Sequence, residues 1–508
     1  MKIYNILAAA AFAVVAFQPL DAENLVIMHT NDVHGNVVPE KVKTLGGVVR
    51  RKVVIDSIRN AEKHTLLVDA GDDVQGFLYF TLYKGEVEYG AMNKLDYDIA
   101  IPGNHEFDNG MQALADNYRR LKAEKLCANY DVKGTPLEGL IKEYTIKKIG
   151  GKKIAFIGVG CQPKGMISPE NIEGVTYSNA MTVADSIAGL LKSQHKADYA
   201  VVVSHIGYKS DRAELPSDSL LAVGSSNVDL IIGGHSHTRI DPSDPHHPTY
   251  LLKNKKGRTV LVAQTGRWGE RLGKITIDLD DLQKVPDYEL IPIDSRYDSR
   301  GDKKLEDWFK PYTKGVEELK GIIIGQSAGE YANGEMNPLS NWVADVTREI
   351  GQKLTDRHVD LAIVNKGGIR QPMPKGDVSM GLILSMLPFA NSVDVLEIDG
   401  KSLLEGLDVM AGRGGDAVSA EVSAGMRDGH LTQATVSGKP IDPDKKYVIA
   451  TIDYLVEGGD NMASFANGKV IAKSEDLLKD DVIRHIKEMT AKGEIIDPDK
   501  TVRMYVEK

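Results

Sequence analysis

Four apolar, largely β-branched runs in the first half of this 508-residue chain end abruptly in Asp, Asn, His or Gly. Leu25-Val26-Ile27-Met28 leads into His29-Thr30-Asn31-Asp32-Val33-His34-Gly35, and Leu66-Leu67-Val68 into Asp69-Ala70-Gly71-Asp72. Tyr199-Ala200-Val201-Val202-Val203 leads into Ser204-His205-Ile206-Gly207, and Val228-Asp229-Leu230-Ile231-Ile232 into Gly233-Gly234-His235-Ser236-His237. A further piece of the same character is Gly103-Asn104-His105-Glu106-Phe107-Asp108. Such runs read as buried strands, which alternate with helix-like segments from Asn24 to about Asp298. In an α/β sheet the loops leaving the C-terminal strand ends converge on a ligand. Asp, Asn and His gathered at one such rim can hold two divalent cations.

Taken singly, each piece has a plainer reading. A lone His at a strand end is usually a surface or capping residue, a lone Asp-x-Gly-Asp a turn, and Asn104-His105 can cap a helix beginning at Asn109-Gly110. Taken jointly and in this order, the pieces resemble the calcineurin-like metallophosphoesterases. His29-Thr30-Asn31-Asp32-x-His34-Gly35 with Gly103-Asn104-His105-Glu106-Phe107-Asp108 narrows the resemblance to the 5′-nucleotidase family. The resemblance implies an N-terminal four-layer α/β/β/α metallophosphoesterase domain joined by a linker helix to a C-terminal α/β nucleoside-binding domain. It also implies a two-metal phosphohydrolase converting nucleoside 5′-monophosphates to nucleoside and phosphate. A broader nucleotidase, with UDP-sugar hydrolase or 2′,3′-cyclic phosphodiesterase activity, is the enzymatic alternative. A catalytically silent nucleotide-binding or surface-adhesion protein is the alternative of another class, and the intact ligand set argues against it.

The resemblance assigns the ligands. Asp72 would bridge the two metals, because only an anion holds two dications about 3.5–4 Å apart. Asp32, His34 and His237 would complete one site, and Asn104, His205 and His235 the other. Such mixed nitrogen and oxygen donors suit Zn or Mn, with Co or Fe as further possibilities. Family members often carry Gln or Asn where His237 stands, and a third imidazole favours a borderline-soft ion such as Zn. His105 and Asp108 would form a catalytic dyad, with His105 near the phosphate and Asp108 orienting it. His64, His195, His246, His247, His358, His430 and His485 match no motif and read as surface residues.

The second half carries its own marks. Asn365-Lys366-Gly367-Gly368-Ile369-Arg370 follows Leu361-Ala362-Ile363-Val364, Leu387-Pro388-Phe389 follows Leu382-Ile383-Leu384, and Asp453-Tyr454 through Asp460 follows Tyr447-Val448-Ile449-Ala450. By resemblance these loops bind the nucleoside: Arg370 contacts the nucleotide, Phe389 and Tyr454 sandwich the base, Asp460 accepts from the ribose hydroxyls, and Asn365 lies near the base. Stacking of this kind tolerates many bases. Family members place further arginines just before the helix that here starts near Pro338. Gly329-Glu330-Tyr331-Ala332-Asn333-Gly334-Glu335 has none, which leaves the preferred nucleotide open.

With 42% hydrophobic and 26% charged residues the chain is globular and long enough for two or more domains. Its formal net charge of −10 argues against nucleic acid as a partner, while leaving a small phosphorylated substrate possible. Residues 1–22 read as a signal peptide: Lys2, an apolar run from Ile6 to Phe17, then Pro19 and Ala22. No other stretch spans a membrane and no apolar C-terminal tail suggests an anchor, so the expectation is a periplasmic or secreted protein of undetermined oligomeric state. The expected division is a phosphoesterase domain over 23–298, a linker helix over 299–320 and a substrate-binding domain over 321–508. Cys127 and Cys161 can pair in an oxidising compartment or stand as two buried thiols.

Overall fold

The computed structural model describes residues 23–38, 45–209, 215–333 and 338–507. The signal-peptide reading falls on residues 1–22 and so lies outside the described residues.

Two six-stranded sheets pack face to face in the first domain. In the first, β1 (Asn24–Thr30), β2 (His64–Asp69) and β3 (Ile99–Ala100) run parallel, and Arg271–Asp278 pairs antiparallel on the outer side of β1. In the second, β4 (Tyr199–His205) and β5 (Leu230–Gly233) run parallel to each other and to Lys152–Gly160. Strand periodicity divides their side chains between two cores. Leu25, Ile27, Leu66, Val68, Val201, Val203, Leu230 and Ile232 fill the space between the sheets. Val26, Met28 and Leu67 face the helices outside the first sheet, among them Val48–Ala61 and Gly110–Arg120. Ala200, Val202 and Ile231 face the helices outside the second, including Ala180–Ser193, which the Asn179 side chain caps through the Thr182 amide. Both faces of every site-bearing strand are thus buried, which is why their sequences read as unbroken apolar runs.

The helix Lys303–Gly321 follows, capped by Asp302, which accepts from the Lys304 and Leu305 amides. It keeps Pro311 in its interior and buries Leu305, Phe309 and Val316 in the first domain's outer core. Beyond it, a five-stranded sheet is ordered Ala417–Val418, β6 (Leu361–Val364), β8 (Lys446–Ile452), β7 (Ser392–Asp399), Lys469–Leu477. The helix Pro338–Leu354 shares its core, with Leu339, Val343, Val346 and Ile350 buried beside Ile363, Val395 and Ile449. Leu382-Ile383-Leu384 lies in the helix Met380–Met386, whose cap is the Ser379 side chain accepting from Leu382 N. No helix among the described residues is long and apolar enough to cross a membrane.

Cys127 and Cys161 are both buried free thiols. Burial lifts each to about 12, so neither is a reactive thiolate. The surface reading of the unmatched histidines needs correction at three positions. His485 is only 12% exposed, 3.6 Å from Glu349, His64 is part-buried against Glu23 at 2.9 Å, and His247 is half-buried beside Tyr250.

Candidate active site

The parallel strands end at one rim, and each delivers side chains to it. The Asp32 amide donates to Gly71 O at 2.9 Å and the His34 amide to Asp72 O at 2.9 Å, tying the loop after β1 to the loop after β2. Asp32, His34, Asp72, His235 and His237 all hold left-handed backbone, with φ of 51°, 51°, 57°, 76° and 53°. Such strain clusters at functional sites, where surrounding structure over-determines it. Gly103 lets the loop after β3 come close, since a Cβ there would collide with Asp72 Oδ1 and the His205 ring.

Asp32, His34 and His237 present ligand-type atoms within 4.8 Å of one another, as do Asp72, His205 and His235. Asp72 Oδ2 lies between the two groups, 3.9 Å from His34 Nε2 and 3.1 Å from His205 Nε2. Asn104 joins the second group through its Oδ1, 2.9 Å from His235 Nδ1. In the first, His237 Nε2 stands 2.8 Å from His34 Nε2 and 3.5 Å from Asp32 Oδ1.

The donor set fits cations. His205 Nδ1 donates to Ala70 O at 2.7 Å, which leaves Nε2, 3.1 Å from Asp72 Oδ2, as the ring atom that can ligate a cation in place of a proton. Burial opposes protonation of His205, yet Asp72 and Asp32 outweigh it and lift the imidazole to about 10: the space between these groups calls for positive charge. Burial pushes His34 well down, His235 to about 4 and His237 to about 3, leaving neutral rings suited to ligation.

Three residues without an assigned role support this rim. Glu106, 5% exposed, accepts from the amides of Asp72 at 2.9 Å, Asp73 at 3.0 Å and Gly103 at 2.6 Å. Asn31 donates to Asp32 Oδ2 at 2.6 Å and accepts from Thr265 N at 2.8 Å. Gln264 donates to Gly234 O at 2.7 Å. Asn31 and Glu106 lie inside the quoted motifs, but their type alone does not distinguish a supporting carboxylate or amide from a ligand.

His105 Nδ1 sits 2.9 Å from Asp108 Oδ2, and its Nε2 accepts from Arg370 Nη2 at 3.0 Å. Burial opposes protonation of His105, but the Asp108 and Asp72 carboxylates prevail and raise its pKa. Arg370 comes from the loop after β6, so the second domain reaches the rim of the first. Phe389 follows it, with its ring 5.7 Å from that of His105 and beneath the Arg370 guanidinium at 5.2 Å. Tyr454 lies in a single helical turn, Asp453–Val456, at the start of the connection after β8 that forms the loop to Asp460, and its hydroxyl lies 3.1 Å from Asp460 Oδ1. Asp460 Oδ2 accepts from Asn365 at 2.7 Å. Arg413 fixes that loop, donating to Asp460 O and to the buried Asp416 carboxylate. One cleft of about 540 Å³ touches Asp72, His105 and His237 on one side and Arg370, Phe389 and Tyr454 on the other.

The family profile for the calcineurin-like phosphoesterases matches residues 25–239, and that for the 5′-nucleotidase C-terminal domain matches residues 323–467. The chain belongs to the 5′-nucleotidase family. Its relatives include the 5′-nucleotidase of Rattus norvegicus, 27% identical over 91% of this chain and 85% of that protein. The trifunctional nucleotide phosphoesterase protein YfkN of Bacillus subtilis is 26% identical over 89% of this chain, which spans only 33% of that longer protein. A crystal structure of a 5′-nucleotidase precursor from Thermus thermophilus superposes with a TM-score of 0.82 at 25% identity, covering 95% of this chain and 99% of that one. This 5′-nucleotidase family member is accordingly a hydrolase with a metallophosphoesterase domain, and the fold is the mixed α/β arrangement of its relatives. The family implies divalent metal ions, which the His and Asp clusters suit.

Proposed function

We propose that this protein is an exported phosphohydrolase that releases phosphate from nucleoside 5′-monophosphates with the help of two divalent cations, Zn or Mn. The observation that carries this reading is the single cleft joining the Asp72 rim to Phe389 and Tyr454. Asp32, His34, His237 and the bridging Asp72 would hold one cation, and Asp72, Asn104, His205 and His235 the other. When bound, the cations supply the positive charge that a phosphate ester needs before a nucleophile can approach it, and they acidify water.

The residues of the chain divide the remaining work. Phe389 and Tyr454 grip the base between ring faces, and Asp460 and Asn365 hold the sugar and base edges. Arg370 is a fork with one arm on His105 Nε2, so an incoming phosphate exchanges one partner for another rather than burying a lone charge. His105, held through Nδ1 by Asp108, presents Nε2 to the phosphate once Arg370 turns to the substrate; its raised pKa lets Nε2 then take a proton from solvent and pass it to the departing 5′-oxygen. The test is phosphate release from AMP by protein loaded with Zn or Mn, set against p-nitrophenyl phosphate and against chelated protein. No release from AMP by the loaded protein would overturn the reading.

A second reading, a broader nucleotidase acting on UDP-sugars or cyclic nucleotides, is favoured by one observation. A further cavity of about 740 Å³ opens on the other side of His235, lined in part by Lys164, Lys209, Ser236 and Thr238. It has room for a substituent beyond the phosphorus. Turnover of UDP-glucose faster than of AMP would select it.

A further inference from the structure

The two domains meet at a second place besides Arg370 and His105, and the contact converges on one atom. The Gly165 carbonyl, in a first-domain loop that also brings Met166 and Ser168 into the cleft, accepts from the Tyr454 hydroxyl at 3.2 Å and from the Asp460 amide at 3.2 Å. The approach is close: a Cβ at Gly165, whose φ is +79°, would stand 3.2 Å from Asn461 Oδ1. The second-domain side is strained, with Asp460 and Asn461 in left-handed conformation at φ of 50° and 63°. Strain of that kind persists only where other contacts hold it, and here the Gly165 carbonyl and the Arg413 fork are among them.

The Tyr454 hydroxyl has one proton and two acceptors in reach, Gly165 O at 3.2 Å and Asp460 Oδ1 at 3.1 Å. It also accepts from the Asp460 amide at 3.2 Å. A donor arriving at Asp460 Oδ1 satisfies that oxygen and releases the tyrosine proton to Gly165. Resting on the nucleoside reading above, we propose that the Tyr454 hydroxyl is a sugar-responsive latch: a vicinal diol donating to Asp460 commits the tyrosine proton to the Gly165 carbonyl and so favours the closed arrangement of the domains. Tyr454 then has two separable parts, a ring that stacks on the base and a hydroxyl that positions one domain against the other. Ligands with the same base and no diol stack equally well and close the cleft less.

Tyr454→Phe keeps the ring and removes the latch. The measurement is kcat/KM for AMP relative to 2′,3′-dideoxy-AMP, with small-angle X-ray scattering of the full chain saturated with adenosine or 2′,3′-dideoxyadenosine. The wild type should compact more with adenosine. In Tyr454→Phe the two nucleosides should compact the chain equally, and the AMP preference should fall about 2- to 10-fold, the factor carried by one hydrogen bond, chiefly through KM. Gly165→Ala, which intrudes from the other side of the contact, should reduce compaction in the same way. An unchanged AMP preference and unchanged compaction in Tyr454→Phe would overturn the latch while leaving the nucleotidase reading intact. Failure of the wild type to turn over AMP would overturn both.

Discussion

Replacing Glu106 with Gln removes one charge and almost no volume, yet the structure makes it a severe change. The carboxylate is buried and serves three backbone donors, with Oε2 taking the Asp72 and Gly103 amides and Oε1 the Asp73 amide. A glutamine retains one oxygen, which can keep the first two bonds. Its NH2 group then faces the Asp73 amide, donor against donor. One orphaned buried amide costs about 1–3 kcal/mol, and loss of charge assistance in the other two bonds about 1 kcal/mol each, so the total is about 3–5 kcal/mol. For a domain of this size that corresponds to a fall of about 10 °C in Tm. Because the amides held are those of Asp72 and its neighbours, metal affinity should fall about 10- to 100-fold. Burial, together with the Asp72 charge, lifts Glu106 to about 7, so the comparison belongs at pH 8 and above, where the carboxylate is ionised. Calorimetry on loaded and chelated protein, with metal competition against a chromogenic chelator, reads both quantities. A Tm within 2 °C of wild type together with unchanged metal affinity would refute the claim that this carboxylate holds the rim.

Three further outcomes are expected. Asp72→Asn should bind neither cation stoichiometrically and release no phosphate from AMP, since an amide cannot offset two dications; full activity with two metals measured by mass spectrometry would remove Asp72 from the bridge. His105→Ala should lower kcat by about 10²- to 10⁴-fold with KM for AMP little altered, and a kcat within a few-fold of wild type would exclude His105 from proton transfer. Glu88, 1% exposed and with no side-chain hydrogen-bond partner for either oxygen among the described residues, is lifted by burial from its ordinary 4.5 to about 8. Its folded value lies above its unfolded one, so its favourable contribution is complete below about pH 4.5 and drains away as pH rises to 8. Glu88→Gln should therefore gain stability over wild type between pH 5 and pH 8.5, and a Tm difference constant over that range would show the carboxyl is not held neutral.

The strands and the rim were legible because their signals are local. Runs buried on both faces carry no polar alternation, and Asp32, Asp72, His205 and His235 sit at or just past the points where those runs stop, so their gathering at one rim could be read from position, whereas their assignment as ligands rests on resemblance. The supporting residues were not legible in the same way. Glu106 earns its place through amides more than thirty positions away at Asp72 and Asp73, and Asn31 through Thr265, contacts that exist only once the sheets have packed. The largely buried His485 escaped for the same reason: its helix Leu478–Ala491 lies near Glu349 of another helix, which no spacing records. In the second domain Phe389 and Tyr454 could be named by resemblance, but the contact of the Tyr454 hydroxyl with Gly165 spans the two domains and leaves no trace in either loop.

The left-handed backbone at Asp32, His34, Asp72, His235 and His237 has a consequence for how such a site can vary. Among residues with a Cβ, Asn, Asp and His are the ones that most readily accept that conformation. They are also residues whose oxygens and nitrogens bind borderline metals. Two independent filters, one steric and one chemical, therefore overlap on these three residue types. At these five positions a longer acid such as Glu meets the coordination filter and fails the steric one, while Gly does the reverse. The vocabulary of the rim is small before any reaction has been asked of it, and at Asp72, where the reading above needs an anion, it narrows to a single letter.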